Sequence, residues 1–319
     1  MTANARSAPI DWLGVSTVLR RARRPGPLVI ISLAYLASAT AIMIWRGISV
    51  SPDYILLLMV PVALLSGRFL GFLRDWIPFV VIFLGYEAMR DIAPKTGIAP
   101  HVTDIASWEH TFFGGNYPNA VLQAAFTGTL GRVLAYLATV VYFMHFAIPF
   151  GVGLVIWLVN RTQFLRYSVA LMGMSFLAFF IFLLLPTAPP WYAENAGVIH
   201  GVTKLLDTTL PSYISPYYHL LNSNPVAAFP SLHAAYPLLS FFALLGVYRR
   251  AAWVLFGWSL LVGFSVIYLG EHWGIDVLAG WVFATLCWLA MMRFVVPHVG
   301  VLRGPAQRAA VPETRHAVA

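Results

Sequence analysis

Apolar residues run along this chain in stretches long enough to cross the roughly 30 Å hydrocarbon core of a bilayer. Lipid offers no water to backbone groups, so each such stretch must be helical. Eight segments can be placed, at 28–45, 54–72, 76–90, 133–159, 167–185, 231–247, 252–269 and 275–295. The second and third are short or interrupted. The pattern therefore predicts an all-α integral membrane protein with a bundle of about six to eight transmembrane helices.

The composition supports this class. Hydrophobic residues make up 60% of the chain and charged residues 10%, against roughly 45–50% and about 25% in soluble domains. The formal net charge of +8 does not indicate nucleic acid, because the basic residues are dispersed between apolar runs and form no single stripe. Cys287 is the sole cysteine, which excludes an internal disulfide and is interpreted as a buried structural thiol.

The distribution of basic residues predicts the orientation. With a cytoplasmic N-terminus, most of the 20 Lys and Arg residues face the cytoplasm, as the positive-inside rule requires. The five that face outward are Arg46, Arg90, Lys95, Arg132 and Lys204. We expect a multi-pass protein of a bacterial plasma membrane with both termini in the cytoplasm.

The predicted domain organisation is a cytoplasmic segment at 1–27, a transmembrane catalytic domain at 28–298, and a cytoplasmic tail at 299–319 that is expected to be disordered. Two long loops face outward. The loop at 91–131 is interpreted as an interfacial cap with a short amphipathic helix. The loop at 186–230 is rich in Pro, Tyr and Asn, and its length inside a compact bundle predicts a functional role.

Two short segments carry candidate chemistry. In Gly270-Glu-His-Trp-Gly-Ile-Asp276, His272 and Asp276 are four residues apart at a predicted helix start, so they share one helix face. A carboxylate in that position can orient the imidazole and leave its other nitrogen free to attack. Glu271 is interpreted as a loop charge, and a second proton-handling group is the alternative.

The other segment is Phe229-Pro-Ser-Leu-His-Ala234, which has the pattern of a helix entry with Ser231 as N-cap and His233 in the first turn. Unpaired amides at a helix start favour an anion such as phosphate. The predicted topology places both helix starts and the 186–230 loop on the outer face. We therefore expect His233, His272 and Asp276 to meet there.

An outward-facing PSxH followed by HxxxD, each opening a membrane helix, resembles the type 2 phosphatidic acid phosphatase superfamily. The segment Thr187-Ala-Pro-Pro-Trp-Tyr192 is similar to the APPWY segment of its inositol phosphorylceramide synthase-like branch. The resemblance covers about 167–288. The chain departs from the phosphatases in having Ser265-Val266 where they have Ser-Arg, and in lacking KxxxxxxRP before Pro230.

The resemblance implies a six-helix core and a lipid phosphotransferase or phosphatase that works at the outer face. His272 would be the nucleophile that forms a phosphohistidine, Asp276 its orienting partner, and His233 the acid that protonates the leaving alcohol. Ser231 would contact phosphate. The substrate would be a membrane lipid phosphate or phospholipid, with a head-group alcohol as a possible acceptor, and no metal or other cofactor is expected.

Alternatives stay open at this point. The protein could be a phosphatase that only hydrolyses phosphatidic acid or a polyprenyl phosphate, or a non-enzymatic lipid transporter on the same scaffold. HxxxD could bind a divalent ion, but the sequence has no HExxH and no Cys cluster, so zinc hydrolysis is not predicted. The sequence also leaves the oligomeric state open.

Phosphoryl transfer needs positive charge on the phosphate oxygens. Arg90 is the preferred source, because it lies at a helix end where an unpaired charge is expensive, and Lys204 and Arg132 come next. Trp191 and Tyr192 are candidates for substrate contact, with interfacial anchoring as the alternative. His145 lies within a predicted helix and is interpreted as a hydrogen-bonded core residue.

Overall fold

The computed structural model describes residues 26–45, 52–90, 92, 95, 97–210 and 226–304. Within these residues the chain is helical and contains no β-strand. Single bridges pair His101 with Thr187 and Thr187 with Ala227. The predicted all-α class is confirmed.

Twelve α-helices occur in the described part of the chain. They are α1 (Pro27–Trp45), α2 (Pro52–Leu65), α3 (Phe69–Arg90), α4 (Thr103–Phe112), α5 (Pro118–Ala125), α6 (Gly128–Val159), α7 (Arg161–Leu184), α8 (Pro190–Asn195), α9 (Leu206–Thr209), α10 (Leu232–Leu245), α11 (Arg249–Tyr268) and α12 (Gly274–Ala290). A π-helical turn, Met291–Val295, extends α12, and a 3-10 turn follows at Gly300–Leu302.

Four of these helical stretches are long and apolar enough to cross a membrane: Phe69–Tyr86, Arg161–Leu184, Arg249–Tyr268 and Gly274–Val295. Helix α6 adds a fifth if its two halves, which meet at a 46° bend between His145 and Ala147, form one span. Pro27–Ala39 and α10 are apolar but shorter. All eight predicted segments contain helix, and the protein is an integral membrane protein.

The predicted break between the second and third segments was misplaced. The turn lies at Ser66–Arg68, and α3 begins at Phe69 instead of residue 76. Gly67 has a φ of +66°, a conformation that glycine adopts without steric cost. The Arg68 guanidinium donates to the carbonyls of Trp157 (3.3 Å) and Leu158 (3.0 Å). The turn between α2 and α3 therefore docks on the C-terminal end of α6, where orphan carbonyls need donors.

The first residues of the predicted tail contact α7. Leu302 is buried, and its carbonyl accepts a hydrogen bond from Arg166 Nε at 2.8 Å. The disorder of the tail stays a prediction. Residues 305–319 and the predicted N-terminal segment up to residue 25 lie outside the described residues.

The bundle is centred on α10, which packs against α6, α7, α11 and α12. Close approach depends on small residues. A Cβ on Gly280 of α12 would lie 2.3 Å from the carbonyl oxygen of Ser231, and one on Gly263 of α11 would lie 2.9 Å from the Trp281 ring. Helices α4 and α5, called the cap helices below, contact α12 and α11 respectively. The segment 91–131, in which one short helix was predicted, contains these two helices, and its interfacial position stays a prediction.

Candidate active site

His233, His272 and Asp276 lie together where α10 and α12 begin. His233 Nδ1 is 2.9 Å from His272 Nε2, and His272 Nδ1 is 3.4 Å from Asp276 Oδ2. Asp276 is fully buried and His272 is almost so. Two imidazoles and a carboxylate therefore form one chain of hydrogen bonds across two helix starts.

The chemistry of the carboxylate assigns the protons in this chain. An ionised carboxylate can only accept, so His272 carries its proton on Nδ1 and points it at Asp276. The lone pair of His272 Nε2 then faces His233 Nδ1, which supplies the proton between the two rings. The lone pair of one ring and the N–H of the other thus face each other between the two helix starts.

The turn before α12 presents His272 through backbone contacts. Gly270 has a φ of +78°, and a Cβ there would lie 2.9 Å from the carbonyl of Thr203. The amides of Glu271 and His272 both donate to the carbonyl of Val266, at 3.0 and 3.2 Å. Asp276 Oδ2 also accepts from the amide of Trp273 at 2.9 Å, which caps α12. One carboxylate therefore orients the imidazole and caps the helix that follows it.

Ser231 is the N-cap of α10, as predicted, since its Oγ accepts from the amide of Ala234. The side chain is fully buried, and its own amide donates to the carbonyl of Asp276 at 3.0 Å. In this structure Ser231 ties α10 to α12. Its phosphate contact stays a prediction.

His145 is buried and hydrogen-bonded, as predicted, with Nδ1 2.6 Å from the carbonyl oxygen of Tyr142. His145 also lies against His233, a contact that the sequence did not indicate. Its ring centroid lies 4.1 Å from that of His233, and Tyr142 stacks on His233 at 4.6 Å. Pro149 has no N–H to offer the carbonyl of His145, and α6 bends just after this residue.

Glu109 of α4 is a second residue that sequence reasoning missed. It is completely buried, and its Oε1 and Oε2 accept from the amides of Gly274 (2.7 Å) and Ile275 (2.9 Å). Burial raises the pKa of Glu109 to about 7, with a small further rise from Asp276, while the two amide bonds oppose the shift. No pattern in the sequence singles out this residue, because its partners are about 165 positions away.

Comparison with known proteins bears on what this cluster does. A family model described as PAP2 superfamily matches residues 103–290, which span both cap helices and the histidine-bearing helices. The chain belongs to the PAP2 superfamily.

Three curated relatives of this PAP2 chain have related names. A phosphoinositol dihydroceramide synthase of Bacteroides thetaiotaomicron is 29% identical over 67% of this chain and 74% of the relative. The inositol phosphorylceramide synthase catalytic subunit of Schizosaccharomyces pombe is 25% identical over 60% of this chain and 47% of the relative. The inositol phosphorylceramide synthase of Candida albicans is 28% identical over 55% and 39%.

The chain thus spans less than half the length of the two fungal relatives. No solved structure matches it. The relatives' names favour the phosphotransferase interpretation over the purely hydrolytic one and over a transporter.

Glu271 of the PAP2 site is not the loop charge that we expected. It is buried beside His272, and burial raises its pKa to about 7 against the opposing effects of Lys204, His272 and the Trp191 side chain. Lys204 Nζ lies 4.4 Å from the Trp191 ring centroid and 3.9 Å from Asp207 Oδ1. The expectation was wrong because the 186–210 segment folds over the turn that carries Glu271.

The other residues that were predicted to bind substrate are Tyr192, Arg132 and Arg90, and each lies in a different part of the fold. Tyr192 is half-buried, with its ring 5.9 Å from that of Trp191. Arg132 is exposed and lines a cavity of about 430 Å³ beside α6 and α11, and neither His233 nor His272 is among the cavity's lining residues. Arg90 ends α3, but its side chain lies outside the described residues.

Across the ranges that the structure describes, no group of three or more His, Cys, Asp or Glu side chains is arranged to hold a metal ion. Two of the acids near the histidines have other partners. Glu109 accepts from two amides, and Asp276 accepts from one amide and from His272. These carboxylates therefore support the helix start and the imidazole.

Proposed function

We propose that this protein transfers a phosphoryl-linked head group between membrane lipids through a phosphohistidine on His272. The observation that carries the proposal is the 2.9 Å contact between His272 Nε2 and His233 Nδ1, with Asp276 behind His272. A transporter has no evident need for an oriented nucleophile that faces a proton donor.

The first half-reaction uses the two imidazoles in opposite roles. His272 Nε2 attacks the phosphorus of a lipid phosphodiester, and the bond from phosphorus to the leaving lipid oxygen breaks. His233 gives its Nδ1 proton to that oxygen, so a neutral alcohol leaves. Asp276 stabilises the positive charge that develops on the His272 ring.

The second half-reaction restores the enzyme. An acceptor hydroxyl enters where the leaving alcohol was, loses its proton to His233, and attacks the phosphorus. The bond from phosphorus to His272 Nε2 then breaks, and the proton is back on His233. Both steps move protons between groups of this chain and the substrates, so the mechanism that we propose needs no metal ion.

The substrates are inferred from the relatives. Their names join a phosphoinositol group to ceramide or dihydroceramide. We therefore propose a phosphoinositol-bearing phospholipid as donor and the hydroxyl of a ceramide-type lipid as acceptor. The positive charge for the phosphate would come from Lys204, Arg132 or Arg90, of which Lys204 faces Glu271, the neighbour of His272.

The active site is proposed to face away from the cytoplasm. The histidines lie where α10 and α12 begin, whereas Arg249 and Arg250 lie at the other end of the bundle, where α10 has ended and α11 begins. Arg161 starts α7 at that same end. Clustered arginines indicate the cytoplasmic side.

The test uses purified protein in lipid nanodiscs, a phosphoinositol lipid with ³²P in its phosphodiester, and ceramide. We expect labelled ceramide product in the presence of EDTA, and a protein-bound label that is stable to alkali and labile to acid. Both should disappear in His272→Ala. His298→Ala is the matched control, since His298 is an exposed histidine after the C-terminal end of α12.

Transfer that survives His272→Ala, or that EDTA abolishes, contradicts the mechanism. Label that passes only to water, as inositol phosphate, identifies a phosphodiester hydrolase and contradicts the transferase assignment. A wild-type protein that never acquires label would contradict the phosphohistidine.

A further inference from the structure

We propose that Glu109 is a positioning residue that holds the start of α12, and with it His272, in the reactive geometry. This inference rests on the proposed function, because it concerns the nucleophile of that reaction. Glu109 touches neither histidine in the hydrogen-bond network. It acts through the backbone that carries His272 and Asp276.

The two oxygens of Glu109 occupy amides that the helix itself cannot satisfy. The first four N–H groups of a helix have no partner within it, and negative charge is favourable at that end. Glu109 takes the amides of Gly274 and Ile275, and Asp276 takes that of Trp273. Three successive amides are thus bound by two buried carboxylates, so α12 does not offer them to phosphate.

The second cap helix holds the same turn from its other side. Asn119 Nδ2 donates to the carbonyls of His272 (2.9 Å) and Ile267 (2.7 Å), and Asn119 is fully buried. The carbonyl of His272 and the amide two residues later are therefore both bound by cap side chains. The backbone on either side of the nucleophile has little freedom to rotate.

Close packing at Gly274 leaves no space for a side chain. A Cβ on Gly274 would lie 2.7 Å from the Phe113 ring and 3.0 Å from Glu109 Oε1. Gly274 is the first residue of α12, two positions after His272. The glycine therefore permits the cap to sit directly on the helix start, and the carboxylate fills the space that a side chain would take.

The surroundings of Glu109 make the contact sensitive to pH. Asp276 of α12 is the charged group that faces it, and Glu194 of α8 accepts instead from the amide of Val202. The carboxylate accepts from both amides only when ionised, since a protonated carboxyl has one good acceptor fewer. With a pKa of about 7, the second bond weakens as the pH falls through neutrality.

Glu109→Gln is the direct test, because glutamine matches the shape but its NH₂ cannot accept from an amide. We expect the rate of phosphohistidine formation to fall roughly tenfold to hundredfold, since displacing a reacting group by about 1 Å can cost 10²-fold. KM should stay within about twofold, because both carboxylate oxygens of Glu109 are bound to backbone amides of α12. Asp104→Asn is the matched control, a carboxylate of the same helix whose partners are His101 and the amide of Ile105.

Hydrogen exchange gives a readout that does not depend on activity. Glu109→Gln should speed exchange in peptides that cover Trp273–Asp276, and Asp104→Asn should not. Below pH 7, amide exchange of wild-type Trp273–Asp276 should be faster than the intrinsic pH dependence of amide exchange predicts. Glu109→Gln should not show this excess. Glu109→Asp keeps the charge on a side chain one methylene shorter. Its exchange rate should lie between those of the wild type and Glu109→Gln.

The outcomes separate this inference from the proposed function. Wild-type labelling of His272 together with unchanged kcat and exchange in Glu109→Gln overturns the positioning role and leaves the function standing. Absence of any phosphohistidine in the wild type overturns the function, while the exchange measurements still judge the contact. If Glu109→Gln does not fold, Glu109→Asp and the wild-type pH series decide.

Discussion

Replacing Asp276 by asparagine removes the charge behind the proposed nucleophile with little change in shape. Asparagine can still cap α12 through its carbonyl oxygen, which would accept from Trp273 as Asp276 Oδ2 does at 2.9 Å. The same oxygen, Asp276 Oδ2, faces His272 Nδ1 at 3.4 Å. Asparagine therefore keeps the acceptor for the Nδ1 proton and removes the negative charge that would stabilise the ring when Nε2 attacks phosphorus.

The magnitude follows from the geometry. A hydrogen bond to a charged group contributes about 1.5–3 kcal/mol, which is roughly tenfold to hundredfold in rate. The bond here is 3.4 Å long, longer than the 2.7–2.9 Å typical of such bonds, so the lower part of this range applies. Asparagine keeps this oxygen and loses its charge, so we expect the rate to fall about tenfold.

The assay is single-turnover formation of labelled phosphohistidine, followed by rapid quench in alkali. Asp276→Ala is the companion variant, since it removes both the acceptor for His272 Nδ1 and the acceptor for the Trp273 amide, and its rate should be lower than that of Asp276→Asn. Rates within threefold of wild type for both variants would refute the orienting role and, with it, the assignment of Nε2 as the attacking atom.

Three further predictions concern packing and buried charge. Gly280→Ala should destabilise the fold by about 1–3 kcal/mol, because its Cβ would meet the carbonyl of the α10 N-cap at 2.3 Å; thermal unfolding checks this against Gly257→Ala, which meets nothing within 4 Å. Burial raises the pKa of Glu271 from 4.5 to about 7, so its contribution to stability is present below pH 4.5 and lost as pH rises through 7. The gain in Tm from Glu271→Gln should therefore grow between pH 5 and pH 8. His145→Ala should lower kcat more than His145→Phe, because a ring at this position packs 4.1 Å from His233.

Each of these has an outcome that contradicts it. Equal Tm changes for the two glycine variants would mean that the close helix contact tolerates a methyl group. Parallel Tm curves for wild type and Glu271→Gln would show that this carboxyl does not titrate with a raised pKa. Equal rates for the two His145 variants would remove the packing argument.

Short-range patterns in the sequence were sufficient for much of the site. Spacing by four residues predicted the contact between His272 and Asp276, although His272 precedes α12 and does not lie on a face of it. The Pro-Ser entry predicted the N-cap at Ser231. Both depend on contacts within one or two helical turns. Apolar runs predicted the helical membrane class for the same reason, since the bilayer constrains each segment separately.

Other features arise from contacts between segments far apart in the chain. The pairing of His233 with His272 follows from topology, but its 2.9 Å distance depends on how α10 packs against α12. Arg90 was predicted to bind the phosphate because topology left few basic residues on the outer face. Its side chain lies outside the described residues, so this assignment stays a prediction.

Tertiary packing decided the roles of the buried polar groups. Glu109 meets α12 across about 165 residues, and His145 meets His233 only because α6 bends at that point and lies against α10. Glu271 follows a positive-φ glycine, a position that suggests an exposed loop, yet the 186–210 segment covers it. Burial of an ionisable group depends on what folds over it, and a pattern read along one segment carries no information about that distant partner.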